Sequence, residues 1–175
     1  WTKLGGDIDG EAEGDQSGRS VSLSSDGTTL AIGANGNDGT GGDAGHVRVY
    51  KYNGSAWTKL GDDIDGEAAN DRSGFSVSLS SDGKTVAIGA YSNDGTASNA
   101  GHVRVYSWNG SAWTKLGDDI DGEAADDWSG NSVSLSSDGT TVAIGAYGND
   151  GTASDAGHVR VYSWNGSAWT KLGDD

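Results

Sequence analysis

Asn131-Ser-Val-Ser-Leu-Ser-Ser-Asp-Gly-Thr-Thr-Val-Ala-Ile-Gly-Ala146 decides the fold of this chain. Its first six residues alternate small polar with apolar side chains, the period of two that marks a strand. Ser137-Asp-Gly-Thr140 reads as a tight turn, with Gly139 able to take positive φ. Thr141 to Ala146 is β-branched, uncharged and suited to burial on both faces. Outward from this pair, Tyr147 to Gly157 is a loop rich in Gly, Asn, Asp and Ser, and His158 to Trp164 alternates again as a third strand. Asn165-Gly166 predicts a type I′ hairpin turn into a fourth strand over Ala168 to Leu172. No stretch keeps a 3.6-residue period, and 31 glycines weaken any helix.

The same unit recurs along the chain. Trp-Thr-Lys-Leu-Gly begins at Trp1, Trp57, Trp113 and Trp169, a spacing of 56 residues, so the units are 1–56, 57–112 and 113–168, with 169–175 opening a fourth. The expected fold is all-β: tandem four-stranded antiparallel blades of a β-propeller, with a β-solenoid as the rival architecture. With Trp1 to Asp7 read as a strand, the same strand type stands at both ends. Three blades do not close a ring, since propellers use about four to eight. Neither a leader-like segment nor any Met is present, position 1 included. The expectation is a window on a longer array, several chains combining, or an open stack.

Composition excludes several functions. There are 26 acidic and 11 basic side chains, a formal net charge of −15. Such a surface repels phosphate, so nucleic acid and anionic membranes are poor partners, whereas divalent cations and basic partners are better ones. It also keeps a repetitive β-protein soluble and its edges apart. Cysteine is absent, which removes disulfides and thiolate chemistry. No apolar run approaches the ~20 residues that membrane insertion requires.

Ser129-Gly-Asn-Ser-Val133, Ser137-Asp-Gly139, Val142-Ala-Ile-Gly-Ala146 and Gly157-His-Val-Arg-Val-Tyr162 together resemble the FG-GAP repeat of integrin-α-type propellers. The resemblance extends to all three units and implies a propeller of the cell exterior. Three departures accompany it. Ser17, Ser73 and Ser129 stand where the family has Phe, and Asn35, Tyr91 and Tyr147 where it has Pro. The family's calcium loop, between the first two strands, is here a Ser-Ser-Asp-Gly turn whose only carboxylates are Asp26, Asp82 and Asp138. One carboxylate cannot supply the six to eight oxygens calcium takes.

The acid-dense segments lie elsewhere: Asp7 to Asp15, Asp63 to Asp71 and Asp119 to Asp127, and the loops holding Asn37-Asp-Gly with Asp43, Asn93-Asp-Gly with Asn99, and Asn149-Asp-Gly with Asp155. An up-and-down meander puts both sets on one rim. Candidate Ca²⁺ ligands there are Asp7, Asp9 and Glu11, then Asp63, Asp65 and Glu67, then Asp119, Asp121 and Glu123. The alternative is that these residues shape turns. His46, His102 and His158 open the third strand of each unit, and are expected to be partly exposed and without a metal. The serines show no nucleophile elbow, so no enzyme is expected.

Three further features bear on partners. Tyr52/Trp57, Trp108/Trp113 and Trp164/Trp169 flank the Asn-Gly turns, either as sugar-stacking platforms or as cross-strand register locks. Asn53, Asn109 and Asn165 each begin an Asn-Gly-Ser glycosylation acceptor. Gln16/Arg72/Trp128, Arg19/Phe75/Asn131 and Asn35/Tyr91/Tyr147 vary between units and lie beside the acidic loops, where a binding surface diversifies. Two readings follow. One is a non-catalytic structural or adhesive module, extracellular or at the cell surface, whose partners are further copies of the repeat or chain. The other is a calcium-assisted propeller that binds glycans or surface proteins through the acidic rim.

Overall fold

The computed structural model describes residues 1–174, and they form three antiparallel sheets. The first contains β1 (Ser20–Leu23), β2 (Thr29–Ala34), β3 (His46–Tyr52), β4 (Trp57–Lys59) and the two-residue β5 (Ile64–Asp65). The second contains β6 (Ser76–Leu79), β7 (Thr85–Ala90), β8 (His102–Trp108), β9 (Trp113–Lys115) and β10 (Ile120–Asp121). The third contains β11 (Ser129–Leu135), β12 (Thr141–Ala146), β13 (His158–Trp164) and β14 (Trp169–Lys171). Each is an up-and-down meander, the blade expected from the alternation, and the three do not close a ring. Among the described residues no helix is long and apolar enough to cross a membrane.

Two expectations are corrected, the strand over Trp1 to Asp7 and the type I′ turns. Trp1 to Asp7 forms no strand, because the strand type it repeats pairs with the third strand of a preceding unit. The structural blade is thus offset from the sequence repeat: Trp57–Lys59 opens the second repeat but hydrogen-bonds to β3 of the first blade. The Asn-Gly loops are not type I′ turns, since Gly54, Gly110 and Gly166 have positive φ while the preceding asparagines do not. Type I′ requires it at both. Instead Asn53 Oδ1 accepts from the Ser55 amide, the Ser55 hydroxyl and the Ala56 amide, closing a four-residue loop between Tyr52 and Trp57. Finally, β5 and β10 are short strands that alternation did not reveal; they pair with β3 and β8.

The core lies between blades. Ala31, Val47 and Val49 of the first blade meet Leu79, Val86 and Ile88 of the second, with Ile64 alongside. Ala87, Val103 and Val105 meet Val142 and Ile144 of the third, with Ile120 alongside. Full burial of each such side chain is worth roughly 1.5–3 kcal/mol, so the blades stabilise one another. The contact is very close at the glycine of Ala-Ile-Gly-Ala. A Cβ on Gly33 would overlap the Gly74 carbonyl, and one on Gly89 the Gly130 carbonyl. Those carbonyls also accept hydrogen bonds from Ser20 Oγ and Ser76 Oγ, both at 2.7 Å. The outer strands are tied as well: Trp113 Nε1 donates to Leu60 O and Trp169 Nε1 to Leu116 O, each at 2.8 Å.

Both end faces lack this cover. Val21 and Leu23 are exposed at one end. At the other, Val159 is 62 % exposed where its counterparts Val47 and Val103 are 0 %. A cavity of about 390 Å³, lined in part by Ser132, Gly145 and Val159, occupies the place of a next blade's first strand. A Cβ on Gly145 would meet only Ser132 of its own blade. Gly89→Ala is therefore expected to destabilise the fold by about 2–3 kcal/mol through overpacking. Gly145→Ala, chemically the same change, should stay within about 0.5 kcal/mol. Denaturant unfolding at low protein concentration measures both, and equal costs would refute the assignment of the glycine to blade contact.

Candidate functional site

The acidic loops are built around buried arginines. Arg48, Arg104 and Arg160 occupy the third strand of their units and are all buried. Their Nη2 groups donate to the backbone carbonyls of Asp9 at 2.7 Å, Asp65 at 2.7 Å and Asp121 at 2.6 Å. Their Nη1 groups face Glu11, Glu67 and Glu123 at 3.5 Å each. The last acid of each segment, Asp15, Asp71 or Asp127, is buried. It accepts the amide of Ala12, Ala68 or Ala124, three residues earlier, at 2.9 Å and so closes the turn from its C-terminal side. Asn93 and Asn149 donate to Asp71 and Asp127 from the neighbouring loop. The two sets of acidic loops do share one rim: Arg72 reaches Asp43 at 2.8 Å, and Asn99 donates to Asp126 at 2.9 Å.

The candidate cation ligands are distributed differently from the sequence grouping. Among the described residues, Asp7, Asp9 and Glu11 do not converge as a trio. Instead Glu11 is gathered with His46 and Asp63, and Glu67 with His102 and Asp119, one donor atom from each lying within 4.8 Å of the others. Asp7 pairs in solvent with Lys3 at 2.7 Å, Asp63 with Lys59 at 3.0 Å, and Asp119 with Lys115 at 2.8 Å. Those hydrogen bonds raise the pKa of Lys59 and Lys115 above the ordinary lysine value. Asp65 is exposed, while Asp121 is half-buried and raised by that burial and then by Asp119.

Two of the three histidines depart from the expected partial exposure, which His158 keeps. His46 and His102 are 2 % and 1 % exposed. The cause is β5 and β10, which lay Asp65 opposite His46 and Asp121 opposite His102. Burial holds His102 down to about 4, with the Arg104 charge adding to it and Asp119 opposing. His46 is lowered by burial too, against Asp63. Both imidazoles are neutral at physiological pH, and the Nε2 of each is sealed from solvent without a hydrogen-bond partner.

A family model described as the FG-GAP repeat matches residues 8–50, 64–106 and 119–162. The chain belongs to the FG-GAP repeat family. Comparison with curated proteins gives no match. Among solved structures, the chain is similar to Kuenenia stuttgartiensis hydrazine synthase, with a TM-score of 0.57 and 15 % identity over 95 % of this chain and 38 % of that one. Saccharomyces cerevisiae Sqt1 gives 0.58 and 14 % over 92 % and 36 %. The periplasmic gluconolactonase PpgL of Pseudomonas aeruginosa gives 0.54 and 17 % over 83 % and 39 %. The chain thus spans well under half the length of these structures, and at such identity the likeness establishes the propeller-like fold alone.

The geometry explains how this FG-GAP repeat tolerates its departures. Ser73 replaces the expected Phe and is fully buried. Its amide donates to Ala44 O at 2.9 Å, its backbone bridges to Gly45, and its hydroxyl accepts from Arg104 at 3.2 Å. The buried arginine fills the region and needs a small polar neighbour. The positions that vary between units are brought into contact. Arg19 lies over the Phe75 ring at 4.1 Å, Phe75 packs on Tyr91 at 4.4 Å, and Trp128 stacks on Tyr147 at 4.8 Å. Gln16, Arg72 and Trp128 have φ of 56°, 59° and 53°, a conformation L side chains seldom adopt. Asn35 is buried, and Asn131 follows Trp128, its amide donating to Trp128 O. Asn53, Asn109 and Asn165 sit on exposed loops, with their Oδ1 atoms already holding the loop. The aromatic pairs beside those loops have centroids 5.3–5.5 Å apart, as cross-strand locks require.

One oxygen of the single carboxylate in the Ser-Ser-Asp-Gly turn, Oδ1, collects three hydrogen bonds. Asp138 accepts from the Ser136 hydroxyl at 2.6 Å, the Thr140 amide at 3.0 Å and the Thr140 hydroxyl at 2.8 Å. The Ser136 hydroxyl, then the Thr140 groups, bring its pKa down from 3.8 to about 2. Because the folded value is depressed, this contribution to stability is present above the unfolded value and lost as pH falls through the folded one. A carboxyl-carbon NMR titration of Asp138 should have its midpoint near 2. In Ser136→Ala the midpoint should move back towards the ordinary carboxylate range; an unchanged midpoint would remove the assigned cause.

Proposed function

We propose that this FG-GAP repeat chain is a non-catalytic structural and adhesive module of the cell exterior or surface, part of a longer array or multimeric assembly, whose working act is like-on-like blade stacking. The observation that carries the reading is the exposed face of the third blade. Ser132, Gly145 and Val159 repeat there what Ser20, Gly33 and Val47 present to the second blade and Ser76, Gly89 and Val103 present to the third. Val21 and Leu23 at the opposite end repeat Val77 and Leu79, which the preceding blade covers. One end is therefore complementary to the other, a head-to-tail contact open to a further blade of the array or to a second copy. The net charge of −15 supports basic or cationic partners over phosphate-bearing ones. Light scattering over a concentration series is expected to show self-association. Gly145→Val and Val159→Asp should abolish it while keeping the β-sheet spectrum and melting temperature. A monomer throughout the series, or association indifferent to both variants, would overturn the proposal.

A second reading, calcium-assisted binding of carbohydrate or protein at the acidic rim, is favoured by a recurring cleft. Asp62, Asp63, Asp65, Tyr106 and Trp113 line about 190 Å³, and Asp7, Asp9, Tyr50 and Trp57 line about 340 Å³ in the equivalent place. An aromatic face beside carboxylates suits sugar hydroxyls. A glycan array with and without calcium tests it: calcium-dependent hits lost in Trp113→Ala support this reading, and a blank array rejects its carbohydrate form.

A further inference from the structure

The geometry points to a divalent transition-metal site at each repeat boundary, formed by Glu11, His46 and Asp63 between the first two repeats and by Glu67, His102 and Asp119 between the second and third. In both, one imidazole nitrogen and one oxygen from each acid lie within 4.8 Å of one another. The second observation is independent of the acids. His46 and His102 are almost completely buried, and their Nε2 atoms have no hydrogen-bond partner. A buried imidazole with no hydrogen bond is costly and calls for a partner. In the third unit Nδ1 faces the acid while Nε2 is again unpaired, so Nδ1 is the nitrogen offered to the ion.

The donor set selects the ion. One nitrogen and two carboxylates, three protein ligands in all, fall short of the six to eight oxygens of calcium. They match the N/O sets that hold zinc with an open fourth position. Zinc bonds of about 2.0–2.2 Å place tetrahedral ligands about 3.3–3.5 Å apart, so the donors must draw in by roughly 1 Å. The histidine is fixed at the start of a strand, and the acids are the parts free to move. Glu11 and Glu67 side chains are 45 % and 44 % exposed, on loops. Their existing partners do not exhaust them. Arg48 and Arg104 engage Oε1, and Lys59 and Lys115 engage Oδ1. A carboxylate offers two oxygens with about four lone-pair positions. The third unit shows the division of labour: Glu123 gives Oε1 to Arg160 at 3.5 Å and turns Oε2 towards His158 Nδ1 at 4.0 Å. The acid that completes that trio by repeat is Asp175, which lies outside the described residues.

Such an ion joins three segments: the acidic loop of one repeat, the third strand of the same repeat, and the start of the next repeat. It is a staple between successive repeats, and it stabilises the folded array in proportion to occupancy. It is separate from the Asp7, Asp9 and Glu11 grouping, because two of its ligands in each case come from outside that segment.

The test uses the 175-residue chain stripped with a chelator and titrated with Zn²⁺ alone. Expected are a rise in melting temperature, a displaced ¹⁵N resonance of the His102 imidazole, and no competition from a hundredfold excess of Ca²⁺. His102→Gln should remove the binding that reports at the second boundary. Because that residue is buried, Glu67→Gln and Asp119→Asn, on partly exposed side chains, are the decisive variants, each weakening that site at least tenfold. An unmoved His102 resonance at saturating Zn²⁺ would overturn the proposal. So would affinity unchanged in both acid variants, which would make the binding diffuse attraction to an acidic surface.

Discussion

The structure depends on the contact between a glycine in the second strand of one blade and a glycine carbonyl at the edge of the next. Gly33 under Gly74 O, and Gly89 under Gly130 O, bring two sheets so close that no side chain fits between them. The serine hydroxyls beside each contact satisfy the carbonyls that the approach would otherwise strand. Everything radially outward follows from that spacing. The small Ala31 and Ala87 and the β-branched Val47, Val49, Val103 and Val105 fill a gap that opens towards the outer strands, where Trp113 and Trp169 close it with their indole donors. Small residues inside and large ones outside make a wedge, and wedges stack around an axis. The chain carries no proline and little aromatic bulk in its inner strands, which is what this geometry demands.

Charge is organised around the same junctions. A net charge of −15 favours an expanded chain, yet the acids are not simply spread over the surface. Each acidic loop is clamped from two sides. Its Ile-Asp strand pairs with the preceding blade, and its backbone carbonyl accepts from the arginine of the following one. The arginine reads the loop through Asp65 O or Asp121 O, a contact indifferent to the side chain, and keeps its other nitrogen for the glutamate. A buried guanidinium without such partners would be strongly destabilising. The acidic loop is accordingly a structural component before it is a binding surface. This accounts for the near-invariance of Asp-Ile-Asp-Gly-Glu among the three units of one chain.

Much of the blade was legible in the residues themselves. Thr141 to Ala146 and His158 to Trp164 appear as strands with the boundaries read from alternation, because each has a hydrogen-bonded partner on both sides. What was not legible came from the neighbouring unit. Ile64–Asp65 is too short to show a period, and its strand conformation is imposed by His46 and Val47 across the gap. His46 and His102 look exposed in sequence because they border a polar loop, and they are buried because the next repeat covers them. The Asn-Gly loop misleads for another reason: Asn53 Oδ1 collects three hydrogen bonds and stabilises a longer loop than the dipeptide alone prefers. The candidate cation site was dispersed in the same way, its glutamate and aspartate drawn from successive repeats and its histidine from a position dismissed as a strand end.

The hidden short strands, the buried histidines and the dispersed cation ligands share a cause, which is that the repeat of the sequence and the unit of the fold are out of phase. The strand Trp57–Lys59 is encoded with the second repeat and completes the first blade; Trp113–Lys115 does the same for the second. Each junction is therefore crossed by hydrogen bonds from a segment whose covalent home is the next repeat, besides the apolar contact. A blade of this kind has a leading face and a trailing face that differ in shape. The trailing face presents serine, glycine and valine, while the leading face presents valine and leucine. Stacking can proceed only head to tail, as it does twice within the chain. That polarity, rather than any property of one blade, makes the repeat additive: both junctions reproduce the glycine carbonyl contact and the arginine clamp. Any chemistry of this protein that needs residues from two repeats is multiplied with each blade added.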